Sequence, residues 1–506
     1  MTALPSAAPP EMTLDDLTRV LLVGSLVMLV AVAAVRLSVR SGLPSLLIYL
    51  GIGIGLGNAG LGIQFDSASV TQILGYAALV LILAEGGLTT SWHNIRRSVA
   101  PAAMLSTVGV VVSVVVVAGA AHLLLSLPWT IALLMGAIVT STDAAAVFAV
   151  LRSVPLPRRL SGMLEAEAGF NDAPVVILVV AFAAQGLPGA EPAAWYVLAW
   201  HAAVELAGGA AVGLAVGWLG GMLLRRVAGA SSALFSIGVV ALTVLAYAAG
   251  AALELSGFLA TYLAALVLGN VSLPNRMAVQ SFATALGWIA QIGLFILLGL
   301  LADPYRLPEQ LLEAVVIGLV LLLLARPLSV VLSTAWFGLS WRDQAFLSWA
   351  GLRGAVPVVL ATVPLTAGTP NTGWIFDLVF MLVVIFTIVQ APTLGWVARR
   401  LRVTEGVSAV DVELEALPLV QLGAHVLQVT VGPDSRLHGV AGFELRLPRV
   451  ANVTLVVRDG EGFVPAPHTT LRHGDQLLVV TTSAARARTE RRIRAISAAG
   501  RLAGWS

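Results

Sequence analysis

Eight ionisable residues sit within apolar stretches of this 506-residue chain: Glu85, Asp143, Glu165, Glu167, Asp172, Glu205, Arg326 and Arg353. A charge at the centre of a bilayer costs about 2.5 kcal/mol or more, so such groups mark ion or proton paths by default. The run Glu167-Ala168-Gly169-Phe170-Asn171-Asp172 sets an acid beside an amide. That pairing offers one titratable carboxylate, Asp172, and one neutral oxygen ligand, Asn171. Hard monovalent cations take oxygen ligands, and desolvating a carboxylic acid brings its proton into competition with a cation for the same group. Competition of that kind is the simplest form of exchange. Glu205 and Arg326 are explained equally well by interfacial snorkelling or a structural pair. Glu165, about two turns before Asp172, reads as a solvated charge nearer the loop.

The elements that must position these groups are interrupted helices. Thr140-Ser141-Thr142-Asp143 puts hydroxyls and a carboxylate near the middle of an apolar run, where short polar side chains compete for backbone hydrogen bonds. Gly351-Leu352-Arg353-Gly354-Ala355-Val356-Pro357 makes a comparable break. Two interrupted helices in corresponding positions of two halves point to a transporter's midplane site. Asp143 suits the positive N-terminal end of a half-helix and Arg353 a negative C-terminal end. The alternative is that glycine and proline merely kink two helices for packing.

Between Val20 and Arg402 the chain holds about 13 apolar segments of spanning length. The fifth and twelfth are interrupted and the sixth carries Asp172. Helices one to six and eight to thirteen are expected to form inverted repeats around helix seven. Arginines cluster in alternate loops: Arg36 and Arg40, Arg96 and Arg97, Arg152 to Arg159, Arg225 and Arg226, Arg276, Arg342, and Arg399 to Arg402. The intervening loops contain only Arg306. The positive-inside rule then places the N-terminus outside and the C-terminus in the cytoplasm of a bacterial inner membrane. The first 18 residues carry Glu11, Asp15 and Asp16 without a basic n-region, so the run from Val20 reads as a retained helix.

Composition narrows the classes. Hydrophobic residues make up 58% of the chain and charged ones 11%, against about 25% charged in a soluble domain. A soluble fold is excluded. With a net charge of +2, no nucleic-acid partner is expected. Cysteine is absent, which removes disulfides, thiolate metal sites and cysteine nucleophiles. No metal-ligand spacing and no nucleophile with a base are present, so the chain is not expected to be an enzyme or to carry a cofactor in its membrane part. Gly55-Leu56-Gly57-Asn58-Ala59-Gly60 matches a dinucleotide fingerprint only as a string, lacking the strand-turn-helix context. Thr107-Val108-Gly109-Val110 lies inside one apolar span and reads as packing glycine, and His93 as a solvated loop residue.

Thr142-Asp143, the stretch Glu167 to Asp172 with its Asn-Asp pair, and Gly351 to Pro357 together resemble the NhaP-type branch of monovalent cation/proton antiporters, over roughly residues 19 to 402. The resemblance implies a dimer with a rigid interface domain and a mobile core that carries the ion by an elevator-like displacement. It implies that Asp172 carries cation or proton, that Thr142 supplies oxygens near it, that Asn171 holds the broken helices in place, and that Glu167 pairs with Arg353. Many members have a serine after the motif glutamate where this chain has Ala168, which counts against sodium. Glu85-Gly86-Gly87-Leu88 resembles the acidic end of the third helix, with Glu85 as a secondary acid. A sodium/proton antiporter is the alternative within the class, and a ligand-gated cation channel using the same tail is the competing class, although a titrating acid at a broken-helix crossing fits alternating access better.

After Arg402 the apolar runs stop. A linker over 403–416 and a small α+β domain over 417–506 are expected. Leu427 to Val431, Val453 to Arg458 and Gln476 to Thr481 read as strands, Asp459-Gly460 as a hairpin turn, and Ala484 to Ile496, with five arginines, as a polar exposed helix. Asp434, Ser435, Arg436, Leu437 and Gly439, with Leu471 to Asp475, resemble the TrkA-C module of potassium-conductance regulators. Such tails imply potassium as the exported ion and a regulatory nucleotide, with His473 and Arg486 to Arg494 as anion contacts, against the plainer reading of those arginines as a solvated basic face. About 90 residues with two or three short strands are marginal alone, so two copies are expected to pair.

Overall fold

The computed structural model describes residues 14–41, 44–58, 60–143, 156–190, 194–227, 232–271, 276–404, 415–419, 424–432, 435–482 and 484–500. Outside them lie the segment beyond Asp143 in the fifth helix, Arg152, most of the linker, Asp434 and the acidic Glu11. The chain divides into two units, Met1–Thr404 and Glu405–Ser506.

Among the described residues of the first unit, eight helices are long and apolar enough to cross a membrane, five shorter apolar helices accompany them, and the short helix Trp341–Trp349 precedes the last of those five. In chain order they are α1 (Leu14–Ser41), α2 (Ser45–Leu56), α3 (Ala68–Thr89), α4 (Val99–Leu124), α5 (Trp129–Thr140), α6 (Arg158–Gln185), α7 (Trp195–Val227), α8 (Ser232–Ala252), α9 (Gly257–Asn270), α10 (Arg276–Leu301), α11 (Leu307–Phe337), the split helix α12a (Trp341–Trp349) and α12b (Ala355–Ala367), and α13 (Gly373–Leu401). Their number and order match the expected multi-pass architecture. Leu21, Leu26 and Leu29 of α1, Val111 and Val115 of α4, and Leu319, Leu323 and Leu324 of α11 remain exposed. That much outward apolar surface requires a hydrocarbon solvent.

Local chemistry sets the ends and irregularities. Ser67 accepts from Val70 N to start α3, and Ser340 with Asp343 forms a reciprocal capping box that starts α12a. In α11, Pro327 has no N–H for the helical ladder, and a π-turn over Leu321–Ala325 immediately precedes Arg326. A second π-turn, Leu105–Gly109 in α4, packs against the part of α11 that follows. The string containing Thr107 and Gly109 is therefore a helix irregularity at a packed contact.

The second unit is a five-stranded antiparallel sheet. Its strands are β1 (Glu415–Leu419), β2 (Ala424–Thr430), β3 (Ala451–Arg458), β4 (Glu461–Phe463) and β5 (Gln476–Thr482), in the order β1-β2-β5-β3-β4. The three longer strands lie where the alternation placed them, and Asp459-Gly460 joins β3 to β4 with both residues at positive φ. The closing helix α14 (Arg486–Ala499) is amphipathic and not polar all round. Thr489, Arg492, Ile493 and Ile496 are buried, and both isoleucines join Leu427, Val429, Leu477 and Val479 in one core.

Candidate functional site

The breaks in α5 and α12 cross. Helix α5 ends at Thr140, Ser141 turns the backbone to an extended ψ of 138°, and Asp143 N donates to Leu352 O at 3.0 Å. Arg353, buried in the α12 break, donates from Nη1 to Ser141 O at 2.6 Å and also to Thr140 O. Those carbonyls end α5 without helical partners, so the guanidinium caps a negative half-helix end. On the other side of the crossing, Gly354 precedes the first turn of α12b. A Cβ there would fall inside the Asp143 carboxylate. The acid thus lies against the N-terminal end of α12b, where the dipole favours negative charge.

Helix α6 runs beside the crossing and is interrupted at Asn171. Pro174 supplies no N–H, and the Val175 N to Asn171 O bond is 3.4 Å long. Asp172 therefore begins a new helical stretch, Asp172–Gln185, and is 3% exposed. Ser141 Oγ donates to Asp172 Oδ1 at 3.0 Å, and Asn171 Nδ2 donates to Thr142 Oγ1 at 2.9 Å. These two bonds tie α6 to the unwound part of α5. Among the described residues, Asn171 Oδ1 is buried without a hydrogen-bond partner, an oxygen able to accept or to ligate. Ser141, Thr142, Asp143, Asn171 and Asp172 therefore form one oxygen-rich cluster in which, among the described residues, no cationic side chain is paired with Asp172.

The expected Glu167–Arg353 pair does not form. Glu167 is gripped by Arg326, whose Nη1 and Nη2 reach its two carboxylate oxygens at 2.5 and 2.9 Å. Arg326 projects from α11 just after the π-turn, and Arg353 is already occupied by the α5 carbonyls. Gly351 makes room for this arrangement, since a Cβ there would come within 2.7 Å of Arg326 Nε. Arg326 is thus a member of the site's framework, not a snorkelling charge.

Glu85 stands on α3 with its carboxylate against Gly287 of α10. Glu165 is partly buried one face of α6 away, and Glu205 is partly buried on α7. Sequence reasoning missed Asp377, buried near the start of α13 and ion-paired with Arg306. The signal was present: a lone acid in Ile375-Phe376-Asp377-Leu378, and the single arginine in the loops otherwise free of them.

Comparison with known proteins gives the family. A family model described as sodium/hydrogen exchanger, transmembrane, matches residues 25–400, and one for the TrkA-C domain matches 426–494. The chain is 36% identical to the K(+)/H(+) antiporter NhaP of Alkalimonas amylolytica, over 92% of this chain and 82% of that one. It is 35% identical to the K(+)/H(+) antiporter NhaP2 of Shewanella oneidensis, over 93% and 82% respectively. Its fold resembles the sodium proton antiporter MjNhaP1 of Methanocaldococcus jannaschii, with a TM-score of 0.67 at 21% identity, covering 77% of this chain and all of that one. The chain belongs to the sodium/hydrogen exchanger family: it is a multi-pass membrane cation/proton antiporter with a C-terminal TrkA-C domain.

Proposed function

We propose that the protein exports potassium from the bacterial cytoplasm in one-for-one exchange for external protons, with Asp172 as the single exchanging group. The observation that carries this reading is the state of the three carboxylates around the crossing. Glu167 is neutralised by Arg326, Asp143 lies at a helix N-terminus, and among the described residues Asp172 holds a serine hydroxyl and no cationic side chain. Asp172 is therefore the acid able to hold a proton or a cation in turn. Asn171 Oδ1 and the hydroxyls of Ser141 and Thr142 complete a neutral oxygen shell, and Glu85 serves as a secondary acid away from the exchange. Because one acid binds either one proton or one monovalent cation, each cycle moves no net charge, and exchange is electroneutral.

Potassium is favoured by the relatives named K(+)/H(+) antiporters, whose similarity extends through the C-terminal domain. The protein works as a homodimer, with α6 and the two broken helices moving as a carrier past a static scaffold. Arginine placement favours an external N-terminus and a cytoplasmic tail. That tail regulates exchange and answers to a small cytoplasmic ligand, a nucleotide by resemblance. The test is reconstitution in proteoliposomes with potassium, sodium, rubidium and lithium offered in turn. Potassium-driven proton movement insensitive to an imposed potential supports the reading, and current without a proton gradient contradicts it.

A further inference from the structure

His438 and His473 stack face to face in the C-terminal unit, with ring centroids 4.0 Å apart and planes within 4°. They come from two loops, 435–440 and 471–475. The loops interlock through the backbone: Gly439 N to Leu471 O at 2.8 Å, Leu471 N to Val440 O at 2.9 Å, and Gly474 N to Val431 O at 2.8 Å. Side-chain bonds then fix the role of each Nδ1. The His473 backbone N–H donates to His438 Nδ1 at 3.2 Å, so that nitrogen carries a lone pair. His473 Nδ1 lies 2.8 Å from Gly432 O, which only accepts, so that nitrogen carries the proton. His438 thus accepts at Nδ1 and His473 donates from Nδ1.

Acid affects the two rings differently. A proton added to His473 enters at Nε2 and leaves the bond to Gly432 in place. A proton added to His438 must enter at Nδ1, where it replaces the acceptor of the His473 N–H with a second N–H. Charging both rings adds repulsion across the stack. The other charged residues of the loops are Arg436, Arg472 and Asp475. The Asp475 carboxylate is taken by Arg458 Nε and Nη2 at 2.8 and 2.7 Å and by Arg472 N at 2.7 Å. Helix α14 meets loop 435–440 through Ser497, and its nearest charge in sequence is Arg494, also basic. Asp434 lies outside the described residues. Among the described loop residues, no uncommitted carboxylate offsets a new positive charge.

Loop 435–440 is also the seat of α14. Arg436 N donates to Ser497 O at 2.9 Å, and the Ser435 and Ser497 hydroxyls bond at 2.8 Å. We propose that the His438–His473 stack is an acid-sensitive latch, in which protonation of His438 at Nδ1 frees loop 471–475 from loop 435–440 and loosens the seat of α14. The closed form requires an unprotonated Nδ1, so the latch is shut in alkali and opens as pH falls.

The test is amide hydrogen exchange of the full-length protein in lipid nanodiscs at about pH 8 and about pH 6, with each rate corrected for its intrinsic pH dependence. In the parent, protection of residues 471–475 should fall severalfold at the lower pH. His438→Asn, whose amide oxygen accepts but does not titrate, should keep the same protection at both. Should that variant disturb the sheet, which β5 peptides report, His473→Gln serves instead: it keeps the backbone donor, so the pH response must persist. Parent protection that ignores pH, His438→Asn responding as the parent does in an intact sheet, or a pH-blind His473→Gln would overturn the latch. Its effect on transport rests on the antiporter reading. In proteoliposomes His438→Asn should flatten the dependence of exchange on internal pH, and a curve superposed on the parent's would overturn that coupling. Failure of the parent to exchange at all would count against the antiporter reading alone.

Discussion

Arg326 holds Glu167 by a two-pronged, buried ion pair, while Arg353 spends its charge on the backbone carbonyls that end α5. The two arginines therefore secure different joints. Arg326 links α11 to α6, and Arg353 links the α12 break to the α5 break. Removing one partner of a buried pair leaves a lone charge, at a cost of roughly 3 to 5 kcal/mol. Arg326→Ala and Glu167→Ala should each lower the unfolding temperature markedly in detergent, and the double variant should lose less than their sum. Additive losses would show that the pair is not formed.

Arg353→Met should destabilise the crossing in a different way. It removes charge-assisted hydrogen bonds worth about 1.5 to 3 kcal/mol each, and its loss should couple to that of Glu167→Ala more weakly than the loss of Arg326 does, because Arg353 and Glu167 share no hydrogen bond. Thermal unfolding of the single and double variants measures this. Strong coupling between Arg353 and Glu167 would contradict the separate joints.

Gly354→Ala drives a methyl into the Asp143 carboxylate. Misplacing a reacting constellation by about 1 Å costs on the order of 100-fold in rate, and a comparable loss of exchange is expected. Gly293 on α10 has nothing within 4 Å of an added Cβ, so Gly293→Ala should exchange like the parent. Equal activity of both variants in the vesicle assay would remove Asp143 from the site.

The C-terminal unit should lose stability in acid. Burial alone would raise the Asp475 carboxyl, but hydrogen bonds from Arg458 and from Arg472 N, with the charges of both arginines, outweigh it and hold it below the ordinary carboxylate range. A lowered native pKa contributes stability above the unfolded value, and that contribution disappears as pH falls through the native one. Asp475→Asn should therefore destabilise the unit at neutral pH and reduce its sensitivity below about pH 4. Denaturation of the sheet followed against pH checks both.

Much of this was readable in the residues. Apolar run length reveals spanning helices because the bilayer fixes their size. The polar break at Ser141-Thr142-Asp143 and the glycine-rich one at Gly351 to Gly354 announce themselves, since neither sits comfortably in a lipid-facing helix. The partner of Glu167 was not readable: two arginines lie within apolar segments, and the choice depends on how α11 turns after its π-turn and on what Arg353 meets across the crossing. Asp377 itself stood out as a lone acid, but its pairing was hidden because Arg306 is 71 residues away. In the tail, β1 contains Pro418 and β4 spans three residues, so neither shows a strand's alternation. The buried stripe Thr489, Arg492, Ile493 and Ile496 of α14 has helical spacing, but five arginines in that run mask it.

The account depends most on Asp172. An amide in its place fills the same space but cannot lose a proton, so Asp172→Asn should insert and fold like the parent. In proteoliposomes, potassium added on one side should then release no protons from the other, at any pH where the parent exchanges. Potassium-dependent proton movement by Asp172→Asn at the parent's rate would contradict the assignment of the exchange to this carboxylate.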